Sequence, residues 1–370
     1  MAHDDIAISP DLRTTLDRAD LAAFLDLHGR PGPITLRPEE PAAPPDAPVR
    51  LRLAAAGLLA EREDDPAAAR AAAIARTLLA PTCVITLSLW NDAQEGRTTL
   101  AFPGRPVGGG GVMVERDGAD VRLAAFLEAE GLLALVEPLL SIVPATPSAR
   151  LEARLARPSA VVLAGLADLT AQADDDTPAF TARHVADWLT IWWGASRRTD
   201  LTGQVFALTF DPDPPDGDRV AAELDAFAAA GLVDRDDGGR FRPIGDFVAV
   251  SHILAVAGGG FDLHRLDVAT DGSVAGRLVH VVCGGEGAFV LERLAGDRIA
   301  LRVAGRIDLA GLVADLATAG GREAEPVGEP TAPRVAEPPA ATRRRFCTRC
   351  GARVEADWSF CTGCGAPLVR

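Results

Sequence analysis

Two short motifs near the C-terminus hold the most specific chemistry in this sequence. Phe346-Cys347-Thr348-Arg349-Cys350-Gly351 and Phe360-Cys361-Thr362-Gly363-Cys364-Gly365 each set two cysteines three positions apart with a glycine behind them, and ten residues separate Cys350 from Cys361. Two residues between cysteines let one tight turn bring both sulfurs to the same ion, with backbone N–H groups aimed at the thiolates. The following glycine takes a left-handed conformation that a side chain resists. Four thiolates fill a tetrahedron and leave no position for water, so the chemistry is structural and not catalytic. A module of about 25 residues has no core of its own and folds on its metal.

This segment resembles the short bacterial zinc ribbons that end chains as F-C-x-x-C-G, about ten residues, then F-C-x-x-C-G-x-x-L, with Leu368 in the last apolar place. The resemblance covers residues 346–370 and implies one structural zinc ion bound by Cys347, Cys350, Cys361 and Cys364. Two disulfides or an iron site are the alternatives.

The remaining inventory excludes more than it offers. All 37 basic residues are arginine, and tyrosine is absent. Without lysine there is no P-loop, no kinase-type phosphate lysine and no Schiff base, and without tyrosine no phenolic acid or base. The six histidines form no H-E-x-x-H, and no serine stands in a G-x-S-x-G elbow. Cys83 and Cys283 lie in apolar segments and read as buried, inert thiols. Gly108 to Gly111 and Gly258 to Gly260 read as hairpin turns, because no helix follows them to bind a phosphate. The acidic run from Asp211 to Asp218 lacks the EF-hand glutamate and reads as a loop with Asp216 or Asp218 capping the next helix. Trp188 and Trp192 share a helical face with Val185 and Leu189 and read as core, with Trp193 free to meet a partner. No catalytic or cofactor-binding residue emerges, and the expectation is a protein that is not an enzyme.

The elements around these residues follow from patterning. The chain has 370 residues, 48% of them hydrophobic, and a mean hydropathy of +0.12, which excludes wholesale disorder; no run of about twenty residues is apolar enough to span a bilayer. The acidic N-terminus has no apolar stretch behind it, so a cytoplasmic location is expected. Ala54 to Leu59 recurs as Ala228 to Val233, Pro44-Pro45-Asp46 as Pro214-Pro215-Asp216, and Val112 to Leu123 as Phe289 to Leu301, at offsets between 170 and 178. The ordered, near-steady offset reads as duplication. The expected fold class is α+β in two duplicated halves, residues 1–150 and 151–320, each a helix, a strand, a helix, an antiparallel meander and a helix.

The first helix of each half carries Leu21, Phe24, Leu25 and His28, or Val185, Trp188, Leu189 and Trp192; the strands expected next are Ile34 to Leu36 and Val205 to Phe210. The meanders cover residues 83–123 and 247–303, and Phe126 to Leu140 and Asp308 to Ala317 close the halves. Residues 321–345 form a Pro/Glu-rich linker to the ribbon at 346–370.

A net charge of −15 with pI near 4.9 makes nucleic acid a poor partner for the body, leaving at most weak binding through the arginine-rich tail; no small-molecule substrate is evident. A duplicated body tied to a zinc ribbon reads as a binding or adaptor protein with a protein partner. In size and order of elements, residues 1–320 are similar to the EspG-type chaperones of type VII secretion, which implies recognition of an export substrate in the cytosol. The alternative is a winged-helix regulator, drawn from residues 182–247, with the acidic turn Asp234 to Arg240 followed by Phe241-Arg242-Pro243 as the wing.

Overall fold

The computed structural model describes residues 12–38, 46–59, 65–91, 95–103, 110–117, 120–126, 130–173, 178–192, 201–203, 205, 214–255, 257–294, 298–318, 345–346 and 353–354. Helices and antiparallel strands alternate in blocks, as α+β chains do. Two compact units form, one from residues 1–141, 261–279 and 307–326, the other from residues 142–260, 280–306 and 327–370. They draw on alternating stretches of chain, unlike the sequential halves 1–150 and 151–320.

In the first unit, β1 (Arg13–Asp17) runs straight into α1 (Arg18–His28), followed by α2 (Ala47–Ala55), α3 (Pro66–Leu79), β2 (Cys83–Asn91), β3 (Glu95–Phe102), β4 (Gly111–Asp117), β5 (Asp120–Phe126) and α4 (Glu130–Leu140). The strands neighbour one another in the order β1-β5-β4-β3-β2. Antiparallel pairing sets Leu16 against Val121, Val114 against Leu123 and Ala101 against Val112. These side chains form one core with Leu21, Phe24 and Leu25 of α1 and Ile74, Ala75 and Leu78 of α3. The apolar face expected of α1 is therefore the one buried. Asp17 caps α1 by accepting from the Asp20 N–H at 2.6 Å. Asp20, only 2% exposed, accepts two bonds of 2.6 Å from the Arg52 guanidinium of α2, which gives a buried charge the fork it requires.

Three expectations fail in this unit. Ile34 to Leu36 is no strand: Leu36 and Gly32 donate their N–H groups to the Leu78 and Leu79 carbonyls, so this backbone satisfies the C-terminal end of α3 instead of a sheet. Phe126, expected to open the closing helix, is held in β5 opposite Gly111, and the helix is described from Glu130 to Leu140. The strand β1 preceding α1 is absent from the expected plan.

His28, in the last turn of α1, meets the Phe24 ring edge-on at 5.0 Å, and its buried Nε2 has no hydrogen-bond partner. Burial holds its pKa below the ordinary value near 6.5. The folded chain thus resists a proton that the unfolded chain accepts, and this stability is complete above about pH 6.5 and lost as pH falls below it. Thermal melts at pH 7.5 and 5.5 are expected to show a larger drop for the native chain than for His28→Gln; equal drops would contradict the assignment. The carboxylates held low by hydrogen bonds, Asp26 to Arg37 and Asp236 to Arg240, act only below the usual carboxylate range and leave this window clear.

The second unit contains β6 (Glu152–Ala156), α5 (Arg157–Ala171), α6 (Ala182–Trp192), α7 (Gly217–Ala229), β7 (Val233–Arg235), β8 (Phe241–Pro243) and α8 (Asp246–Ala255). The chain continues through β9 (Ala257–Val268), β10 (Val274–Gly284), β11 (Gly287–Leu294) and β12 (Arg298–Ala304) to α9 (Arg306–Thr318), which belongs almost wholly to the first unit. In the second unit β11, β12 and β6 are antiparallel neighbours, with Leu291 opposite Leu301 and Leu301 opposite Ala153. Every residue of α5 from Ala160 to Asp168 is buried. Gly165 permits the close approach of α6, because a Cβ there would come within 2.9 Å of the Leu189 side chain.

The region expected as the start of the second meander is partly helical: residues 246–255 form α8, an apolar helix with Phe247, Val250 and Ile253 buried. Gly258 to Gly260 lie inside β9 and not in a turn, whereas Asp271-Gly272 and Gly285 do turn the chain. Most of the strand expected over 205–210 lies outside the described residues, and Val205 itself is helical.

Candidate metal centre and the charged surface of the second unit

Of the C-terminal module the structure describes one short ladder. β13 (Arg345–Phe346) pairs antiparallel with β14 (Arg353–Val354), setting Arg345 against Val354 and Phe346 against Arg353. Cys347, Cys350, Cys361 and Cys364 themselves lie outside the described residues, as do Trp193, the side chain of Trp192 and nearly all of the linker at 321–345.

Residues 346–368 match the zinc-ribbon domain family. The match spans both knuckles, and the donor chemistry fits the metal: four thiolates are the soft, charged set that a closed tetrahedral zinc site takes. Comparison with curated protein sequences gives no match. Among solved structures the chain is similar to the Mycobacterium tuberculosis type VII secretion system chaperone EspG5, determined in complex with a PE25-PPE41 dimer. Sequence identity is 16% and the TM-score 0.45, over 82% of this chain and 94% of that one.

Among the described residues no group of histidine, cysteine and carboxylate side chains could hold a metal ion. Cys83 and Cys283 are buried free thiols. Burial pushes both up to about 12, which keeps them protonated and unreactive at neutral pH. Arg265, beside Cys83, is committed elsewhere: its guanidinium forks onto Asp267 at 2.7 and 2.8 Å and donates to the Leu316 carbonyl at 2.7 Å, fastening the end of α9. Sequence reasoning missed this cluster, since nothing in the spacing of residues 265 and 316 announces it. Among the described residues no helix is long and apolar enough to cross a membrane.

The helices and hairpin that read as a winged helix are present. Asp216 caps α7 by accepting from the Arg219 N–H at 2.8 Å, and β7 and β8 form the hairpin with Val233 against Pro243. Phe180, ahead of α6, adds a third segment, exchanging bonds of 2.8 and 2.7 Å with Phe241. The arginines that would face a phosphate backbone are engaged by acids, Arg219 by Glu223 at 2.8 Å, Arg235 by Asp225 at 2.8 Å, Arg240 by Asp236 at 2.8 Å and Arg242 by Asp234 at 2.9 Å. Exposed pairs of this kind add little stability, but they cancel the field that draws a polyanion. Trp188 is half-buried, its Nε1 donating to Thr202 Oγ1 at 3.3 Å, in keeping with a core role.

Proposed function

We propose that this chain is a non-catalytic adaptor that binds a protein partner through its body and carries one structural zinc ion in its tail. The observation behind the choice of partner is the pairing of the α7 and hairpin arginines with aspartate and glutamate, in a chain of net charge −15. A surface whose cations are already neutralised suits a protein and repels a phosphate backbone. The regulator reading has the right order of elements in its favour but lacks the charge it needs.

The zinc ligands in this reading are Cys347, Cys350, Cys361 and Cys364, which supply four thiolates and hold the two knuckles together when the metal is bound. The body is a duplicated α+β architecture working in the cytoplasm. Supporting duplication, the edge strands β1 and β6 each lead directly into a helix and each pair with the last strand of a meander, β5 and β12. Helices α2 and α7 agree cap for cap. Asp46 and Asp216 accept at their N-termini, and Gly57 and Gly231 end them with φ of 69° and 73°. The N–H groups of Leu58 and Leu232 turn back to the carbonyls of Leu53 and Phe227. In its finer form the reading makes residues 1–320 an EspG-type chaperone that holds an export substrate before secretion.

Affinity capture of the full chain, and of a chain ending at Gly320, tests the proposal. One protein recovered near equimolar ratio with both, and resistant to nuclease, is the expected result. Recovery only of nuclease-sensitive material, or loss of the partner with the tail, would contradict it.

A further inference from the structure

Strand β6 stands last in the strand order of its sheet: β12 pairs with one side of it, and among the described residues no strand pairs with the other. The Val303 N–H donates to the Leu151 carbonyl at 2.9 Å, one step beyond the pairing of Arg302 with Glu152. In an antiparallel ladder, residues that bond to one neighbour alternate with residues that face away from it. Leu151, Ala153 and Leu155 therefore turn their backbone groups to β12, and Glu152, Arg154 and Ala156 turn theirs to the open edge. The side chains follow the same alternation. Glu152 and Arg154 are exposed, and neither side chain has an ion pair or hydrogen bond among the described residues. On the other face Ala153 and Leu155 are half-buried, although the residues opposite them, Leu301 and Ile299, are only 1% and 2% exposed. The apolar layer thus ends at β6 with its last row incompletely covered.

A second copy of β6 fits this edge, and charge selects its register. Two antiparallel copies bond only through residues whose backbone faces outward. Setting Glu152 against its own copy brings Arg154 against Arg150, and setting Arg154 against its own copy leaves Glu152 against Ala156. Both registers oppose like charges, which is destabilising. The register between them sets Glu152 against Arg154 on both sides of a two-fold axis at Ala153, with Leu151 opposite Leu155. Each Glu152–Arg154 pair then exchanges both backbone bonds and neutralises its charges. We infer that the chain self-associates through β6, two copies pairing antiparallel at this edge with Glu152 of each opposite Arg154 of the other. The inference is independent of the zinc reading and of the partner proposed for the body. A strand this short contributes few contacts, so the dimer is a reversible one and not an obligate one.

Sedimentation of the full chain in reducing buffer with about 50 mM salt tests it. The native chain is expected to show a monomer–dimer equilibrium with a dissociation constant of about 10 µM. Glu152→Arg and Arg154→Glu each turn both cross-strand pairs into like charges, and each is expected to weaken self-association about tenfold. An equimolar mixture of the two variants restores unlike pairs in the mixed dimer and is expected to associate within about threefold of the native chain. Arg154→Pro removes an N–H that faces the open edge and not β12. It is expected to abolish the dimer while keeping the thermal midpoint within about 3 °C of native. A native chain that stays monomeric to about 200 µM would overturn the inference and leave the edge to a strand of another protein. Dimers that survive Arg154→Pro, or a mixture that associates no more strongly than its components, would overturn it as well.

Discussion

Replacing Cys347 and Cys350 by serine is expected to take bound zinc from about one equivalent per chain to almost none. A tetrahedral centre that loses two of four thiolates keeps neither the charge nor the closed shell that retains the ion, and a serine hydroxyl does not ionise at neutral pH to replace them. The tail then loses its fold, because a module of this size gains its folding free energy from the metal. The body should not notice. Residues 321–340 carry five prolines and only valine and alanine as apolar side chains, a composition that offers little to pack against a neighbour. Metal analysis of protein purified under reducing conditions measures the first effect, and a melt of a chain ending at Gly320 measures the second. Undiminished zinc in the double variant would remove these cysteines from the site, and a midpoint lowered by more than about 5 °C would mean that the ribbon packs on the body.

The largest stability effect is expected at Asp168. This carboxylate, 3% exposed near the end of α5, accepts from the N–H groups of Leu201 and Thr202 at 2.8 and 2.7 Å and from the Thr202 hydroxyl. It acts as a cap for the helical residues 201–203, which lie far from it in sequence. Asp168→Ala leaves buried donors without an acceptor and should cost about 3 kcal/mol. The expected fall in thermal midpoint is about 6 °C or more. Asp168→Asn keeps an acceptor oxygen but loses the charge that strengthens each bond, and should fall between. A midpoint for Asp168→Ala within about 1 °C of the native chain would show that the network carries no weight.

What was legible in the sequence follows from periodicity. Helix α6 buries one stripe, with Val185 and Leu189 inward, so its pattern announces it; in α1 the expected Leu21, Phe24 and Leu25 are buried together with Asp20, Ala22 and Ala23. Helix α5 is buried on all sides from Ala160 to Asp168 and has no stripe, so it went unseen. The run Phe247 to Ala255 is apolar enough to read as a strand, and only packing against α5 makes it a helix. Edge strands leave less trace still: β1 buries Leu16 alone, and β6 buries none of its residues. The turns after α2 and α7 were plain, because Ala-Gly-Leu with glycine at positive φ is a local solution that needs no distant partner. The two cysteine knuckles were legible for the same reason, since their spacing alone marks them, and residues 346–368 match the zinc-ribbon domain family. The Arg265–Asp267–Leu316 fastening and the Asp168 cap join residues tens of positions apart, which no local pattern encodes.

In the proposed function the body meets a protein and not a nucleic acid. Electrophoretic mobility of the full chain with fragments of its own genomic DNA, in about 150 mM salt, tests it most directly. No retardation is expected at nanomolar protein, and at micromolar protein only a weak, sequence-independent shift that 300 mM salt abolishes, since the six arginines of residues 342–370 neutralise few phosphates. Sequence-specific retardation at nanomolar concentration, of the order that specific complexes reach, would contradict the adaptor reading and make α7 and its hairpin a DNA-reading unit.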